Sequence, residues 1–317
     1  MGLGNIGSLA SIPVMEGKSM LFKKFANIDS FPICVDSENS DEVVNIISKI
    51  SSTFGAINLE DFKAPECFYI EEKLKEKLDI PVFHDDQHGT AIAISAALLN
   101  ALKVVKKNIE DIEIVILGSG AAGIATAKML LLLKVKNIVL VDKNGAVQKD
   151  CDWLNDMQKK MSLVTNINNE KGNISEVIKN KDVFIGLSRP NLVNSKMVAT
   201  MNKDAIVFSL ANPVPEIMPQ EAKKGNARIV ATGRSDFPNQ INNLSAFPGV
   251  FKGALKARAT KITEEMKLAA IKALCSAIPE EELNENKIVA SIFEHNITDK
   301  VAEAVAKAAI KSGISKK

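Results

Sequence analysis

The hexapeptide Gly118-Ser119-Gly120-Ala121-Ala122-Gly123 limits what this chain can fold into more than any other feature. The apolar run 112–117 before it reads as a strand, and the apolar stretch 121–133 that it opens reads as a helix. A second strand at 137–141 follows and ends on Asp142. Parallel strands need a crossover of about a dozen residues, usually a helix, so this series implies a βαβ unit. In that setting Gly118 makes the tight turn, Gly120 admits the pyrophosphate of a dinucleotide, and Gly123 lets helix and strand pack closely. The helix N-terminus at Ala121 and Ala122 then faces the phosphates. Asp142 would accept from the ribose hydroxyls and repel a 2′-phosphate, a lean toward NAD over NADP, although Lys143 beside it would attract that phosphate. Apolar runs at 183–187, 205–210 and 228–231 read as further strands. The intervening tract 150–180 is polar and rich in Asn and Lys, and reads as a surface excursion with little bearing on function.

The N-terminal part is less regular. Segment 20–35 mixes apolar and basic residues and is expected to contain a strand. Val43, Ile46, Ile47 and Ile50 recur at helical spacing behind Ser40 as N-cap, with Asp41 and Glu42 in the first turn. Segment 54–59 reads as a short strand; Ile70, Leu74 and Leu78 mark a helix ended by Pro81; 81–83 reads as another strand. A long helix at 89–107 would link two domains. After Phe247 the pattern is helical, closing at 299–311 between Thr298 as N-cap and Gly313. The expected architecture is α/β. A Rossmann-like doubly wound parallel sheet with C-terminal helices occupies 89–317, and an incomplete N-terminal α/β domain for substrate and metal occupies 1–88.

Composition removes several classes of function. A formal net charge of +2 does not fit a dedicated nucleic-acid binder. The apolar run 129–133, flanked by Lys128 and Lys134, is too short to span a bilayer, and no secretory leader opens the sequence. Cys34, Cys67, Cys151 and Cys275 form no CxxC pair, so reduced thiols in the cytoplasm are expected. A second GxGxxG at 2–7 has no strand before it and reads as a tight loop.

Two acidic pairs directly follow strand candidates: Glu60-Asp61 and Asp85-Asp86. Carboxylates crowded at strand ends need a counter-charge, which a hard divalent cation such as Mg²⁺ or Mn²⁺ supplies; solvated loop acids would give the same pattern. His84 and His88 are weak zinc candidates without cysteine support. Lys18, in Pro-Val-Met-Glu-Gly-Lys, is indistinguishable by pattern from a surface lysine.

Taken together, 2–18 (GLGNIGSLASIPVMEGK), 83–91 (FHDDQHGTA), the Gly-rich hexapeptide, 211–217 (ANPVPEI) and 232–253 (TGRSDFPNQINNLSAFPGVFKG) closely resemble the bacterial-type malic enzymes. The resemblance implies oxidative decarboxylation of (S)-malate to pyruvate and CO₂, with reduction of NAD or NADP and a requirement for Mg²⁺ or Mn²⁺. It implies Lys18 as general base at the C2 hydroxyl, a task that needs a lowered pKa. It also implies Asp85 as the acid that orients Lys18, and Glu60, Asp61 and Asp86 as metal ligands. Asn212 matches a residue at the nicotinamide and substrate, Asn243 one at the substrate carboxylate, and the full-length form is expected to be a homodimer. Malic enzymes carry a further N-terminal region with a tyrosine general acid. Because this chain begins beside its first glycine loop, that region is expected to be missing, through truncation or decay. Tyr69 does not match the catalytic tyrosine and is expected to sit on a helix surface or serve packing. A degenerate homologue that binds NAD(P) without full turnover, or another small-acid dehydrogenase on a similar fold, is the competing expectation.

Overall fold

A computed structural model describes residues 6–293 and 296–316. The glycine loop expected at 2–7 therefore lies mostly outside the described residues. The chain forms two compact units, one of 1–93, 243–277 and 290–317, the other of 94–242 and 278–289.

In the first unit, α1 (Ser8–Leu21) continues into a π-helical turn, Phe22–Ala26. Then come α2 (Ser40–Ile50), β1 (Ile57–Leu59), α3 (Glu66–Lys77), β2 (Val82–His84) and the start of α4 (Asp85–Val105). The two strands pair in parallel, Ile57 opposite Val82 and Leu59 opposite His84. Val43, Val44, Ile47, Leu59, Ile70, Leu74 and Val82 form the core beneath them. No strand lies in 20–35. Lys18, Phe22 and Ala26 are all buried at four-residue spacing, and the lysine at a core position conceals the helical period. The cap of α2 is also one residue earlier than expected: Asn39 Oδ1 accepts from the N–H groups of Asp41 and Glu42.

Helix α4 starts at Asp85, with no loop after β2, four residues before the expected start. By length and composition it could cross a membrane, yet 72% of its apolar window is buried inside the protein. A core helix meets the same criterion, and the sequence reading, which weighed only the run 129–133, passed it over.

The second unit holds β3 (Glu113–Leu117), α5 (Ala121–Leu132), β4 (Asn137–Asp142), β5 (Gly145–Ala146), α6 (Asp156–Ser162) and α7 (Ile174–Val177). It continues with β6 (Val183–Gly186), α8 (Ser195–Val198), β7 (Ile206–Ser209), α9 (Pro219–Lys224) and β8 (Ile229–Thr232). The sheet order is β5-β4-β3-β6-β7-β8, parallel throughout except for β5. From β3 the chain first winds outward to β4, then returns to the other side at β6. The crevice beyond the C-terminal ends of β3 and β6 is therefore the switch point where doubly wound sheets take ligands. Strands β6, β7 and β8 are buried along their whole length, as helices on both faces require.

The chain then returns to the first unit through a 3₁₀ turn, Asn243–Ser245, followed by α10 (Phe247–Lys256), α11 (Glu264–Cys275) and α12 (Ile297–Lys311). The apolar faces of these helices pack within the first unit: Phe22 meets the rings of Phe247 and Phe251, and Phe83 of β2 meets Phe251. Gly253 permits the close approach of α12, since a Cβ there would lie 2.7 Å from Val305 Cβ. The N-cap of α12 is Asn296, and Thr298 lies buried in its first turn. Asn39→Ala should lower stability by about 1 kcal/mol in denaturant unfolding, and Ser40→Ala by much less; equal losses would place the cap where the sequence pattern did.

Candidate active site

The first unit gathers Lys18, Glu60, Asp61, Asp85, Asp86 and Asn243, which are far apart in sequence. Lys18 comes from the last turn of α1, Glu60 and Asp61 follow β1, and the aspartates form the first turn of α4. The parallel pairing of β1 with β2 brings both acidic pairs to the same sheet end. The N-terminal end of α4 favours negative charge there through its unpaired N–H groups.

Lys18 Nζ lies 2.6 Å from Asp85 Oδ2 and 3.0 Å from Glu60 Oε1, and 4.3 Å over the Phe247 ring. Asn243 Nδ2 donates to Asp85 Oδ2 at 2.7 Å. Asp85 is fully buried, its Oδ1 without a hydrogen-bond partner and folded against Gly89, where any Cβ would collide with it. Asp86 Oδ2 accepts the Asp61 N–H at 2.9 Å, and Asn58 Nδ2 donates to Glu60 Oε2 at 3.3 Å.

One ammonium among four carboxylates leaves the cluster short of positive charge. Burial, with repulsion from Asp85 and Asp86, pushes Glu60 up to about 8 against the pull of Lys18. Burial and Asp86 likewise raise Asp61, and burial raises Asp85 despite the bond to Lys18. Burial alone would lower the Lys18 pKa, but Asp85 and Glu60 outweigh it, so Lys18 is held protonated, above its usual range. That is the reverse of the lowered pKa a general base needs. Among the described residues no three His, Cys, Asp or Glu side chains converge into a ready-made metal cage. The residues nevertheless fit a hard divalent cation: Glu60, Asp61 and Asp86 offer only carboxylate oxygens, and with Asp85 they bring more negative charge than Lys18 neutralises. The imidazoles do not join it. His88 bonds Glu71, and both His84 ring nitrogens lack hydrogen-bond partners beside the Phe62 ring.

In the second unit the Gly-rich turn joins β3 to α5. Gly118 has φ +114 and lies against the Leu187 carbonyl after β6, while a Cβ on Gly123 would strike the Gly118 carbonyl. A Cβ on Gly120 would meet nothing within 4 Å, leaving open space before the α5 N-terminus at Ala121 and Ala122. Asp142 ends β4. Its Oδ1 accepts the Lys143 N–H at 2.6 Å, and its Oδ2 accepts from the Ser119 hydroxyl and, at 3.0 Å, from Gln158 Nε2. Gln158 also donates to Ser119 Oγ at 2.7 Å. Gln158 belongs to the tract 150–180, so that tract reaches the Gly-rich turn and is no idle surface excursion. Its one available signal was the capping box that Asn155 forms with Gln158.

Asn212 follows β7 on a loop anchored by Glu216, which is fully buried. Glu216 Oε1 accepts the Ser188 N–H at 2.8 Å, and Oε2 accepts the Ala211 N–H and the Ser209 hydroxyl, each at 3.1 Å. Burial raises its pKa, and these three donors pull against the rise. Glu216 thus joins the ends of β6 and β7 beneath the loop that carries Asn212. Asn212 lies in the second unit and Asn243 in the first.

The family model described as malic enzyme, NAD binding domain, matches residues 87–310, and malic enzyme, N-terminal domain, matches 1–43 and 37–75. The chain belongs to the malic enzyme family. It is 52% identical over its whole length to an NAD-dependent malic enzyme of Geobacillus stearothermophilus, covering 66% of that protein. It is 46% identical to an NADP-dependent malic enzyme of Salmonella typhimurium, over 99% of this chain and 44% of that one. A crystal structure of malic enzyme from Pyrococcus horikoshii Ot3 superposes with a TM-score of 0.95 at 48% identity, covering 100% of this chain and 75% of that one. The chain thus spans about two thirds or less of the length of these two curated relatives. Within this family fold, Glu216→Gln would turn one accepting oxygen into a donor and orphan a buried N–H in either amide orientation. Chemical denaturation should register a loss of about 1–3 kcal/mol; an unchanged midpoint would contradict the anchoring role.

Proposed function

We propose that the chain carries the machinery for oxidative decarboxylation of (S)-malate to pyruvate and CO₂, with reduction of NAD or NADP. The observation that supports this reading most is the buried Lys18 ammonium seated on Asp85 and Glu60 within a carboxylate cluster. A hydride transfer that needs no metal has no use for so many acids in one place. Glu60, Asp61 and Asp86 would hold Mg²⁺ or Mn²⁺. Such a cation supplies Lewis-acid polarisation of substrate oxygens and, through its charge, weakens the grip of the carboxylates on the Lys18 proton.

The protein's own groups set the remaining geometry. Asp85, fixed from one side by Asn243, directs Lys18 Nζ, which takes the proton of the substrate C2 hydroxyl once its own proton has passed to solvent. A bound NAD or NADP would supply the acceptor for the C2 hydride. Asn243, whose Nδ2 has a second hydrogen beyond the one given to Asp85, and Asn212 are the neutral polar groups assigned to the substrate carboxylate and the nicotinamide. Gly118, Gly120, Ala121, Ala122 and Gly123 hold the pyrophosphate, and Asp142, braced by Ser119 and Gln158, receives the ribose. Asp142 favours NAD over NADP, and the reducing cytoplasm suits four cysteines that form no disulfide.

Malate-dependent formation of reduced cofactor in the presence of Mn²⁺ tests the reading. Asp86→Asn should lower the rate by at least about 10²-fold at fixed Mn²⁺, and an unchanged rate would refute the metal assignment. Cofactor binding by calorimetry with no malate-dependent reduction would select the degenerate-homologue alternative. Replacing the ribose acceptor, Asp142→Ser, should weaken NAD binding about tenfold and leave NADP binding equal or tighter. Parallel losses for both cofactors would contradict the discrimination assigned to Asp142.

A further inference from the structure

Behind the acidic pair of α4 lies a second polar assembly that the proposed chemistry does not use. Glu71, on the inner face of α3, is 6% exposed and has five hydrogen-bonding contacts to four groups. It accepts the His84 backbone N–H at 3.2 Å, Gln87 Nε2 at 3.5 Å and Lys75 Nζ at 2.8 Å. His88 Nε2 lies 2.8 and 3.0 Å from its two oxygens. On the far side of that ring Lys267 Nζ stands 3.4 Å from His88 Nδ1, and Lys267 also donates to Glu264 Oε1 at 2.6 Å. An ammonium has no lone pair, so Nδ1 is the acceptor and Nε2 carries the proton donated to Glu71. The order of partners therefore fixes one neutral tautomer of His88.

Three of these contacts bracket Asp85 and Asp86 in sequence: His84 directly before them, Gln87 directly after, and His88 one residue further. The strand-to-helix junction has no loop, so the direction of the first turn of α4 depends on where these flanking residues are held. A small rotation there would lift Asp85 from Lys18 and Asn243, which it meets only because its carboxylate folds over Gly89. An all-apolar packing could bury α3 against α4 without fixing this rotation, because apolar contact is non-directional. The hydrogen bonds that one carboxylate accepts from a backbone N–H and two side chains fix it.

We propose that Glu71, working through His84, Gln87 and His88 and backed by Lys267, is the positioning residue that sets the orientation of Asp85 and Asp86. The proposal rests on the malic enzyme reading for its catalytic consequence, but its structural content stands without it.

The experiment compares Glu71→Ala, Glu71→Gln and the exposed control Glu72→Ala, each checked by circular dichroism and thermal unfolding. Glu71→Ala should lower kcat and weaken Mn²⁺ binding by about 10–100-fold with KM for the cofactor unchanged, and Glu71→Gln, which keeps one accepting oxygen, should recover much of the loss. Amide hydrogen exchange supplies a readout independent of activity. The peptide covering 84–88 should exchange at least tenfold faster in folded Glu71→Ala, while the peptide covering 57–59 does not change. A folded Glu71→Ala protein with unaltered exchange at 84–88 would overturn the proposal, as would full kcat and Mn²⁺ affinity in that variant. Absence of malate turnover in the unsubstituted protein would count against the functional reading alone, because the exchange comparison would still decide the role of Glu71.

Discussion

The pairing of the Lys18 ammonium with Asp85, out of solvent, is the contact from which the rest of the first unit takes its sense. Neither partner is tolerable alone at such depth, and removing one from a buried pair costs on the order of 3–5 kcal/mol. Every element around them serves to bring the two together. The π-helical turn after α1 carries Phe22 onto Phe247 and Phe251, and the same Phe247 ring lies beneath the Lys18 ammonium. The loop-free step from β2 into α4 places Asp85 at a helix N-terminus. The returning chain then adds Asn243 from the opposite direction. A pair of this kind is an inefficient way to stabilise a fold, since apolar residues of similar volume would do at least as well. Its retention is better understood through what the charges can do.

The charge balance points the same way. With Glu60, Asp61 and Asp86 beside the pair, the cluster holds more negative charge than one ammonium neutralises, and burial together with this crowding raises the pKa of Glu60 and of Asp61. A site in that condition takes up protons or a cation. The same surplus holds Lys18 protonated, so its use as a base is tied to how the neighbouring carboxylates are engaged.

The parallel sheet was legible in the sequence because each strand is a continuous apolar run buried on both faces, and its glycine turn obeys a steric rule that leaves little freedom. The sequence pattern also located both acidic pairs at strand ends. What it concealed has physical reasons. Lys18 occupies a core position, so a pattern that sorts apolar from polar misreads its helix as a strand. Gln158 reaches Asp142 from a tract whose composition resembles solvated surface. Glu71 belongs to a helix crowded with charged residues, and nothing in the spacing separates its buried carboxylate from the exposed Glu72 beside it. The late helices joined the first unit because Phe247, Phe251 and Val305 meet partners distant in sequence, a fact that local periodicity does not carry.

Anomalous diffraction from crystals soaked in Mn²⁺ tests the central claim most directly. The account predicts a single strong peak among the carboxylates of Glu60, Asp61 and Asp86, with Lys18 still in contact with Asp85. A peak elsewhere with that cluster empty, or a Lys18 side chain turned out to solvent, would contradict it.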